Sequence, residues 1–187
     1  MAGSSGWTRI VVAGVITGFI LVAVRSNTTD DAETPARASV VPRSLDIPAL
    51  KLEAPLMKLG MTDDGEVELP PYEKPKTAGW FEHSAVPGDE GASVIIGHVD
   101  TKTAPAVFYR LKHMRKGQKI RVERSDGKVA EYQVDSVEQV HKNDFPARRV
   151  YVDEGLRLVT CGGTFDWSDH QYRDNVIVYA SMVAPAR

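Results

Sequence analysis

Cysteine is the residue type that this 187-residue chain has least of, since it holds a single one, Cys161. One cysteine cannot close a disulfide within the chain, and a metal site built on several cysteine ligands is excluded. The thiol is therefore either a small buried apolar group or a reactive group. Its place in the sequence decides which interpretation is favoured.

The chain also lacks an excess of charge of either sign, with 23 Lys and Arg residues against 25 Asp and Glu residues. Such a balance gives no general attraction to a polyanion, so we expect no nucleic-acid partner. No internal repeat is visible. The length allows one domain with appendages.

Helical periodicity is scarce, whereas short runs with the two-residue alternation of half-buried strands recur along the chain. Residues 119–123 and 130–135 alternate on either side of an Asp-Gly pair at residues 126–127, which is typical of a hairpin turn. Residues 92–96 are nearly all apolar, as in a strand that is buried on both faces, and only residues 106–111 favour a helical turn. This pattern predicts an all-β barrel or sandwich with one or two short helices.

A stretch without charge, residues 10–24, lies between Arg9 and Arg25. These fifteen residues would cover about 22 Å as a helix, which is short for a hydrocarbon core of about 30 Å, but the flanking arginines can reach the interfaces. Arginine at position 25 does not suit a small-residue cleavage site. We therefore predict an uncleaved N-terminal membrane helix.

The composition divides the chain into three parts. Residues 1–25 are the predicted membrane anchor, and residues 26–41, rich in Thr, Asp, Ala and Pro, predict a flexible tether. Residues 42–187 are the predicted folded domain. Because positive charges flank the apolar stretch on both sides, they do not fix which side of a membrane the domain faces.

Three residues with catalytic potential each lie close to the beginning or end of an apolar run. Cys161 closes the run at residues 156–161 and precedes two glycines, which predicts a strand that stops at the rim of the fold. His98 follows the buried apolar run described above, and Arg173 comes shortly before the run at residues 176–180. A cysteine nucleophile needs a base or a cation beside it. We therefore expect the strand ends to bring Cys161, His98 and Arg173 around one groove.

Each of these residues also has a purely structural interpretation. A lone cysteine is commonly a small buried apolar side chain, and a histidine after a strand can belong to a turn. Arg173 can form a surface ion pair with Asp169 or Asp174, which would add little stability. The other histidines lie in polar or loop contexts, and we expect all of them to be solvated: His83, His113, His141 and His170.

The motifs around the three candidate residues resemble those of the sortase family. The sequence IGH at residues 96–98, LVTC at residues 158–161 and Arg173 near the start of the last strand are similar to the His, Thr-Leu-x-Thr-Cys and Arg signature of sortases. The likeness covers residues 42–183, and the segments GHVD, PAVFYRL, TCGGTFD and YRDNVIVYA resemble class F sortases of actinobacteria. One departure lies at residues 157–159, where Arg-Leu-Val replaces the usual Thr-Leu-x.

The resemblance implies a fold and a reaction. The fold would be the eight-stranded sortase β-barrel. Residues 10–24 would anchor a single-pass membrane protein, with the barrel outside the cytoplasmic membrane. The reaction would cleave a Leu-Pro-x-Thr-Gly-like sorting signal of a secreted surface protein between Thr and Gly, and transfer the acyl group to an amine of a peptidoglycan precursor. Cys161 would attack the Thr carbonyl, and His98 would protonate the leaving amine and then serve as the base. Arg173 would hold the substrate carbonyl or the oxyanion.

The same resemblance implies no cofactor. Transfer from a thioester to an amine conserves bond energy, so neither ATP nor a redox group is needed. Residues 63–66 faintly resemble a calcium loop but lack the remaining ligands, so we expect a turn there and no metal. Thr160 and Gly162, on either side of the nucleophile, are assigned to substrate binding.

Two other enzyme classes and one binding protein are alternatives. L,D-transpeptidases place histidine or asparagine almost next to the cysteine, whereas Val159 and Thr160 precede Cys161 here. Papain-like cell-wall peptidases have the cysteine before the histidine along the chain, whereas here His98 comes first. A membrane-tethered β-barrel binding module with an inert cysteine stays open, because no acidic residue stands directly beside His98.

Overall fold

The protein is described here from a computed structural model, which covers residues 39–183. Eight strands close into one barrel in the order β1-β2-β3-β4-β7-β8-β6-β5. The strands are β1 (Pro42–Ile47), β2 (Leu52–Leu59), β3 (Ala78–Phe81), β4 (Ala92–Ile96), β5 (Lys119–Arg124), β6 (Val129–His141), β7 (Gly155–Asp166) and β8 (Gln171–Met182). The prediction of an all-β barrel is confirmed.

Helical structure in the described part of the chain is short, as predicted. One α-helix, α1, spans Ala147–Tyr151, and three 3₁₀ turns span Pro48–Leu50, Leu111–His113 and Lys142–Asp144. No helix within residues 39–183 is long and apolar enough to cross a membrane. The predicted membrane helix at residues 1–25 and most of the tether lie outside the described residues.

Two of the barrel's strand pairs are parallel, β2 with β3 and β4 with β7, and the others are antiparallel. The parallel pairs matter for the site, because they align the carboxyl ends of strands that are far apart in sequence. The predicted hairpin at residues 126–127 is confirmed, since β5 and β6 pair antiparallel on either side of it.

Alternation along β7 buries side chains on both faces of the sheet. Leu156 and Leu158 belong to the core inside the barrel, whereas Val159 belongs to a second apolar cluster. This second cluster also holds Ile177 of β8 and Val150 of α1, so the helix covers that face of the sheet. Burial on both faces explains why the strands around the site are apolar almost without interruption.

The helical turn predicted at residues 106–111 forms in part, as i→i+3 turns: the amide of Tyr109 donates to the carbonyl of Ala106 at 3.2 Å, and that of Leu111 donates to the carbonyl of Phe108 at 3.0 Å. The amide of Val107 donates to the carbonyl of Pro75 at 2.7 Å, and the amide of Phe108 donates to the carbonyl of His98 at 2.9 Å. Because these amides bond to distant segments, the chain forms irregular turns there and a 3₁₀ turn begins only at Leu111. The α-helix of the described residues lies elsewhere and begins at Ala147.

The strand that carries Cys161 does not stop at the two glycines, contrary to the prediction. β7 continues to Asp166, and its pairing with β8 shifts between Gly162 and Phe165, which marks a bulge. Gly163 lies in this bulge with a φ of +74°, and a Cβ there would come within 2.2 Å of the Asp174 carboxylate. Glycine therefore lets the strand bend beyond Cys161 without ending.

Candidate active site

The parallel pairing of β4 with β7 brings His98 and Cys161 to the same end of the sheet. Ile96 is paired with Val159, and the amide of Gly97 donates to the carbonyl of Val159 at 3.1 Å. Each candidate residue lies two positions beyond this paired row. Since neighbouring strands are about 5 Å apart, the backbone segments that carry the two residues lie at the same end of the sheet although they are distant in sequence.

Cys161 borders a cavity of about 360 Å³. Thr160 and Gly162 also line it, so the structure brings together the three residues that the sequence assigned to this part of the site. The other lining residues come from the segment after His98, from residues 108–112 and from strands β6, β7 and β8: Val99, Asp100, Phe108, Tyr109, Lys112, Gln139, Gly163, Tyr172 and Val176.

The surroundings of Cys161 favour the neutral thiol. Burial raises the pKa of the Cys161 thiol, the positive charge of Lys142 lowers it, and the negative charge of Asp100 raises it. The Lys142 ammonium donates to the side-chain oxygen of Gln171 at 3.2 Å. Lys142 is thus the cation whose field acts on the thiol.

The His98 ring is held by the segment between β2 and β3. Its Nε2 lies 2.6 Å from the carbonyl oxygen of Pro70, and its ring stacks on Tyr72 with centroids 4.1 Å apart and an interplanar angle of 18°. Since a carbonyl only accepts, Nε2 carries the proton and Nδ1 is the free nitrogen of the neutral ring. Burial lowers the pKa of His98, and the Pro70 carbonyl and the Asp100 charge raise it by less.

Arg173 is engaged in an ion pair on the β7–β8 hairpin. Its Nη2 and Nε donate to one oxygen of Asp166 at 2.8 and 3.2 Å. The Arg173 side chain is 60% exposed. The register pairs Cys161 with Asn175, so Arg173 lies two residues before the partner of Cys161 on β8. The ion-pair partner is thus Asp166, and not Asp169 or Asp174 as the surface interpretation had it.

One hydrogen bond beside the thiol was not expected from the sequence. The Tyr172 hydroxyl donates to Oδ2 of Asp100 at 2.5 Å, and it connects β8 to the segment that follows His98. Burial and this bond raise the pKa of Tyr172, and the charge of Cys161 adds to the effect. Asp100 and Tyr172 fall within the segments GHVD and YRDNVIVYA, and no other feature of the sequence pointed to these two residues.

Two buried polar atoms next to Cys161 have no hydrogen-bond partner within residues 39–183. They are Oγ1 of Thr160, in a residue that is 2% exposed, and Oδ1 of Asn175, in a residue that is 1% exposed. A buried polar atom usually has a hydrogen-bond partner, so each of these atoms is an unsatisfied hydrogen-bonding group close to Cys161 in the β7–β8 pairing.

A metal site is not formed by the described residues, among which no three His, Cys, Asp or Glu side chains cluster. Residues 63–66 form a turn, as predicted. The four other histidines are all exposed. The chemistry that this site offers is therefore that of a thiol, an imidazole and the neighbouring polar and charged side chains.

The model of the sortase domain matches residues 45–183. The chain belongs to the sortase family. Among solved structures it is similar to sortase C of Streptococcus pneumoniae, with 27% identity and a TM-score of 0.58 over 75% of this chain and 65% of that chain. It also resembles a lid mutant of sortase A from Corynebacterium diphtheriae, with 23% identity and a TM-score of 0.58 over 81% of this chain and 75% of that chain.

A third similar structure is sortase C2 of Group B Streptococcus pilus island 1, with 20% identity and a TM-score of 0.56 over 76% of this chain and 73% of that chain. At 20% and 23% identity these likenesses show the sortase barrel alone. The chain thus spans 65% of the length of the pneumococcal sortase C. No curated protein matches the chain.

Proposed function

We propose that this sortase is a cysteine transpeptidase that forms a thioester on Cys161 and passes the acyl group to an amine. The observation that carries the proposal is the parallel pairing of β4 with β7, which sets His98 and Cys161 two residues beyond one paired row, with Cys161 beside a cavity. A nucleophile and an acid–base group at adjacent strand ends are what acyl transfer requires.

In the first half-reaction the Cys161 sulfur attacks the carbonyl carbon of the scissile peptide bond. His98 takes the thiol proton as the C–S bond forms, and it passes this proton to the leaving amine as the C–N bond breaks. In the second half-reaction an acceptor amine attacks the thioester, His98 takes its proton, and the thiolate leaves. Bond energy is conserved in the thioester, so the cycle needs neither a nucleotide nor an electron donor.

Arg173 is proposed to stabilise the oxyanion or to hold a substrate carbonyl. Its guanidinium carries a fixed positive charge and several donors, which suits either task. To act there the guanidinium, whose side chain is 60% exposed, would leave or share its bond with Asp166. Thr160 and Gly162 are proposed to contact the substrate, and their place in the lining of the cavity beside Cys161 supports this role.

The proposed donor is a Leu-Pro-x-Thr-Gly-like sorting signal of a secreted surface protein, cleaved between Thr and Gly. The proposed acceptor is an amine of a peptidoglycan precursor. Affiliation with class F sortases of actinobacteria is supported by the segments TCGGTFD and YRDNVIVYA. A membrane anchor at residues 10–24 with the barrel on the extracellular side would place the enzyme next to both substrates.

The deciding experiment follows a fluorogenic Leu-Pro-x-Thr-Gly peptide with the full chain. We expect Cys161→Ala and His98→Ala to reduce cleavage to background, whereas His83→Ala, in an exposed histidine outside the cavity, retains it. Undiminished turnover in Cys161→Ala would exclude the mechanism. For the anchor, we expect cell fractionation to recover the intact chain with membranes, and recovery in a soluble extract would contradict it.

The binding module with an inert thiol keeps one supporting observation, because burial raises the pKa of Cys161. Alkylation separates the two functions. We expect iodoacetamide to label Cys161 in the native chain and to inactivate it at the same rate. A thiol that reacts only after unfolding would favour the binding module.

A further inference from the structure

Two cavities adjoin beside Cys161. The second has a volume of about 350 Å³ and extends the first towards Arg115 and Lys116. Together they form one groove, which we call the two-cavity groove, with the thiol at one end. The residues common to both cavities are Lys112, Gln139 and Val176.

The thiol end of the two-cavity groove offers a carboxylate. Asp100 lines it, with Oδ2 bonded to the Tyr172 hydroxyl. Cys161 lines the same cavity, and Asp100 is two residues after His98 in the chain, so a cation bound at Asp100 lies near the nucleophile.

The other end of the groove is basic. Lys112 stands at the junction of the two cavities, and Arg115 and Lys116 line the far one. The far cavity has one acidic lining residue, Glu138, whose carboxylate accepts from Arg149 at 2.8 Å. Because Arg149 neutralises this carboxylate, the far cavity attracts anions.

We propose that the two-cavity groove binds the acyl acceptor, and that this acceptor is a primary amine that also carries a carboxylate. Its ammonium group lies at Asp100 and its carboxylate at Lys112. Each cavity is at the small end of the range for ligand pockets, which suits a group of amino-acid or dipeptide size. This inference rests on the proposed function and names the acceptor class for it.

The transfer step balances with groups already present. The bound ammonium releases one proton to solvent, and the free amine attacks the thioester carbonyl. The C–N bond forms as the C–S bond breaks. The second proton passes from the nitrogen to His98, which returns it to the Cys161 thiolate.

The test compares two acceptors that differ in the carboxylate alone, glycylglycine and glycylglycinamide. The full chain in detergent is supplied with the Leu-Pro-x-Thr-Gly peptide, and the ratio of aminolysis product to hydrolysis product is measured. Both products come from one thioester, so the ratio reports the acceptor and not the first step. We expect the parent chain to favour glycylglycine by about threefold to fivefold, as for a partly exposed ion pair.

Variants assign this preference to residues. Lys112→Gln should abolish it and Lys112→Arg should keep it. The matched control Lys119→Gln, in an exposed lysine of β5 that lines neither cavity, should also keep it. Asp100→Asn retains a hydrogen-bond acceptor for the Tyr172 hydroxyl but removes the negative charge. It should therefore lower the ratio of aminolysis to hydrolysis with glycylglycine and with glycylglycinamide. An equal ratio for both acceptors in the parent chain, or an undiminished preference in Lys112→Gln, overturns the proposal.

Binding is measured separately by NMR of the full chain. Glycylglycine should shift the amide signals of Asp100 and Gly163 at lower concentration than glycylglycinamide, and Lys112→Gln should remove the difference. Absence of any shift overturns the groove as an acceptor site. If the acceptor binds but no peptide cleavage depends on Cys161, the proposed function fails and the groove stands. If cleavage depends on Cys161 but neither acceptor changes the products or the spectra, the acceptor groove fails and the proposed function stands.

Discussion

At pH 7 the two reacting side chains are both neutral, because burial shifts their pKa values in opposite directions. The pKa of His98 falls below its usual 6.5 and that of Cys161 rises above its usual 9.0. Burial is the largest cause at both residues, as expected where a low dielectric disfavours charge. In the proposed mechanism, the proton would therefore pass from the thiol to the imidazole during the reaction and not before substrate binds.

The pH dependence of kcat/KM follows from these shifts. The productive form holds one proton between His98 and Cys161, so activity falls in acid when both are protonated and in alkali when neither is. We expect a bell-shaped profile with the acid limb below pH 6.5 and the alkaline limb above pH 9.0. Measurement from pH 4.5 to 10.5 tests this expectation, and an acid limb above pH 7 would contradict the neutral histidine.

The ammonium of Lys142 should set the position of the alkaline limb. Its charge lowers the thiol pKa, so Lys142→Gln should raise that pKa and move the alkaline limb to higher pH. Lys142→Arg keeps the charge and should leave the limb in place. The measurement is the pH profile of kcat/KM together with the pH dependence of alkylation. An unchanged limb in Lys142→Gln would mean that the field of this lysine does not reach the sulfur.

Substitutions at Arg173 and Asp166 distinguish a catalytic role of Arg173 from a surface ion pair. Arg173→Lys keeps the charge but loses the planar donor fork, and we expect kcat/KM to fall about tenfold or more, as when a donor to a developing oxyanion is lost. Asp166→Asn removes the ion pair and keeps the guanidinium, so it should cost far less. Steady-state kinetics on the sorting-signal peptide tests both. Near-parental turnover in Arg173→Lys would reduce this residue to its bond with Asp166.

At the scale of elements, the connection after β4 holds His98 through close packing of Gly97. A Cβ at this glycine would lie 2.6 Å from Cγ1 of Val107 and 2.7 Å from Cδ2 of Phe108. The amide of Phe108 donates to the carbonyl of His98, so the same segment fixes the backbone of the histidine. The turns at residues 106–111 thus help to hold His98 in place.

Gly97→Ala should therefore damage activity and stability together. We expect a loss of about 1 to 3 kcal/mol in the free energy of unfolding, as for overpacking of a core, with a larger proportional loss of kcat/KM. The matched control is Gly60→Ala, where the nearest atom to an added Cβ is 3.4 Å away. Urea unfolding and kinetics measure the two effects. A stable variant with full activity would show that the segment yields without moving His98.

At the scale of the whole molecule, closure of the barrel joins the site to the core. Leu158 is fully buried and its strand position pairs with Ile95 of β4 and Val178 of β8, so it connects the two strands that flank the nucleophile strand. All three side chains belong to the core inside the barrel. Stability and alignment of the site thus depend on the same contacts.

Leu158→Ala should lower the free energy of unfolding by about 2 to 5 kcal/mol, since it removes buried methylene groups and leaves a cavity. Val129→Ala, at a side chain that is 53% exposed, should change it by less than about 0.5 kcal/mol. Equilibrium unfolding in urea, monitored by tryptophan fluorescence, tests the pair. Equal effects would mean that the barrel interior contributes little at this position.

Much of the strand pattern was predictable because alternation and turn residues are local properties of the sequence. The β5–β6 hairpin needed only two alternating runs and an Asp-Gly pair, and the double burial of β4 was visible in its composition. The end of β7 was misplaced because a pair of glycines permits a bulge as readily as a stop. The turn at residues 106–111 is not a regular helix because the amides of Val107 and Phe108 bond to segments that no local pattern identifies.

The sequence by itself determined the types of reactive group and their places beside apolar runs, as well as the family to which these motifs point. Only the tertiary structure decided which groups meet. Parallel pairing of β4 with β7 aligned His98 with Cys161, the β2–β3 segment brought Pro70 and Tyr72 onto the imidazole, and the β7–β8 hairpin gave Arg173 its partner Asp166. The reason is that periodicity fixes the face on which a side chain lies, whereas its neighbours across the barrel depend on non-local pairing and closure.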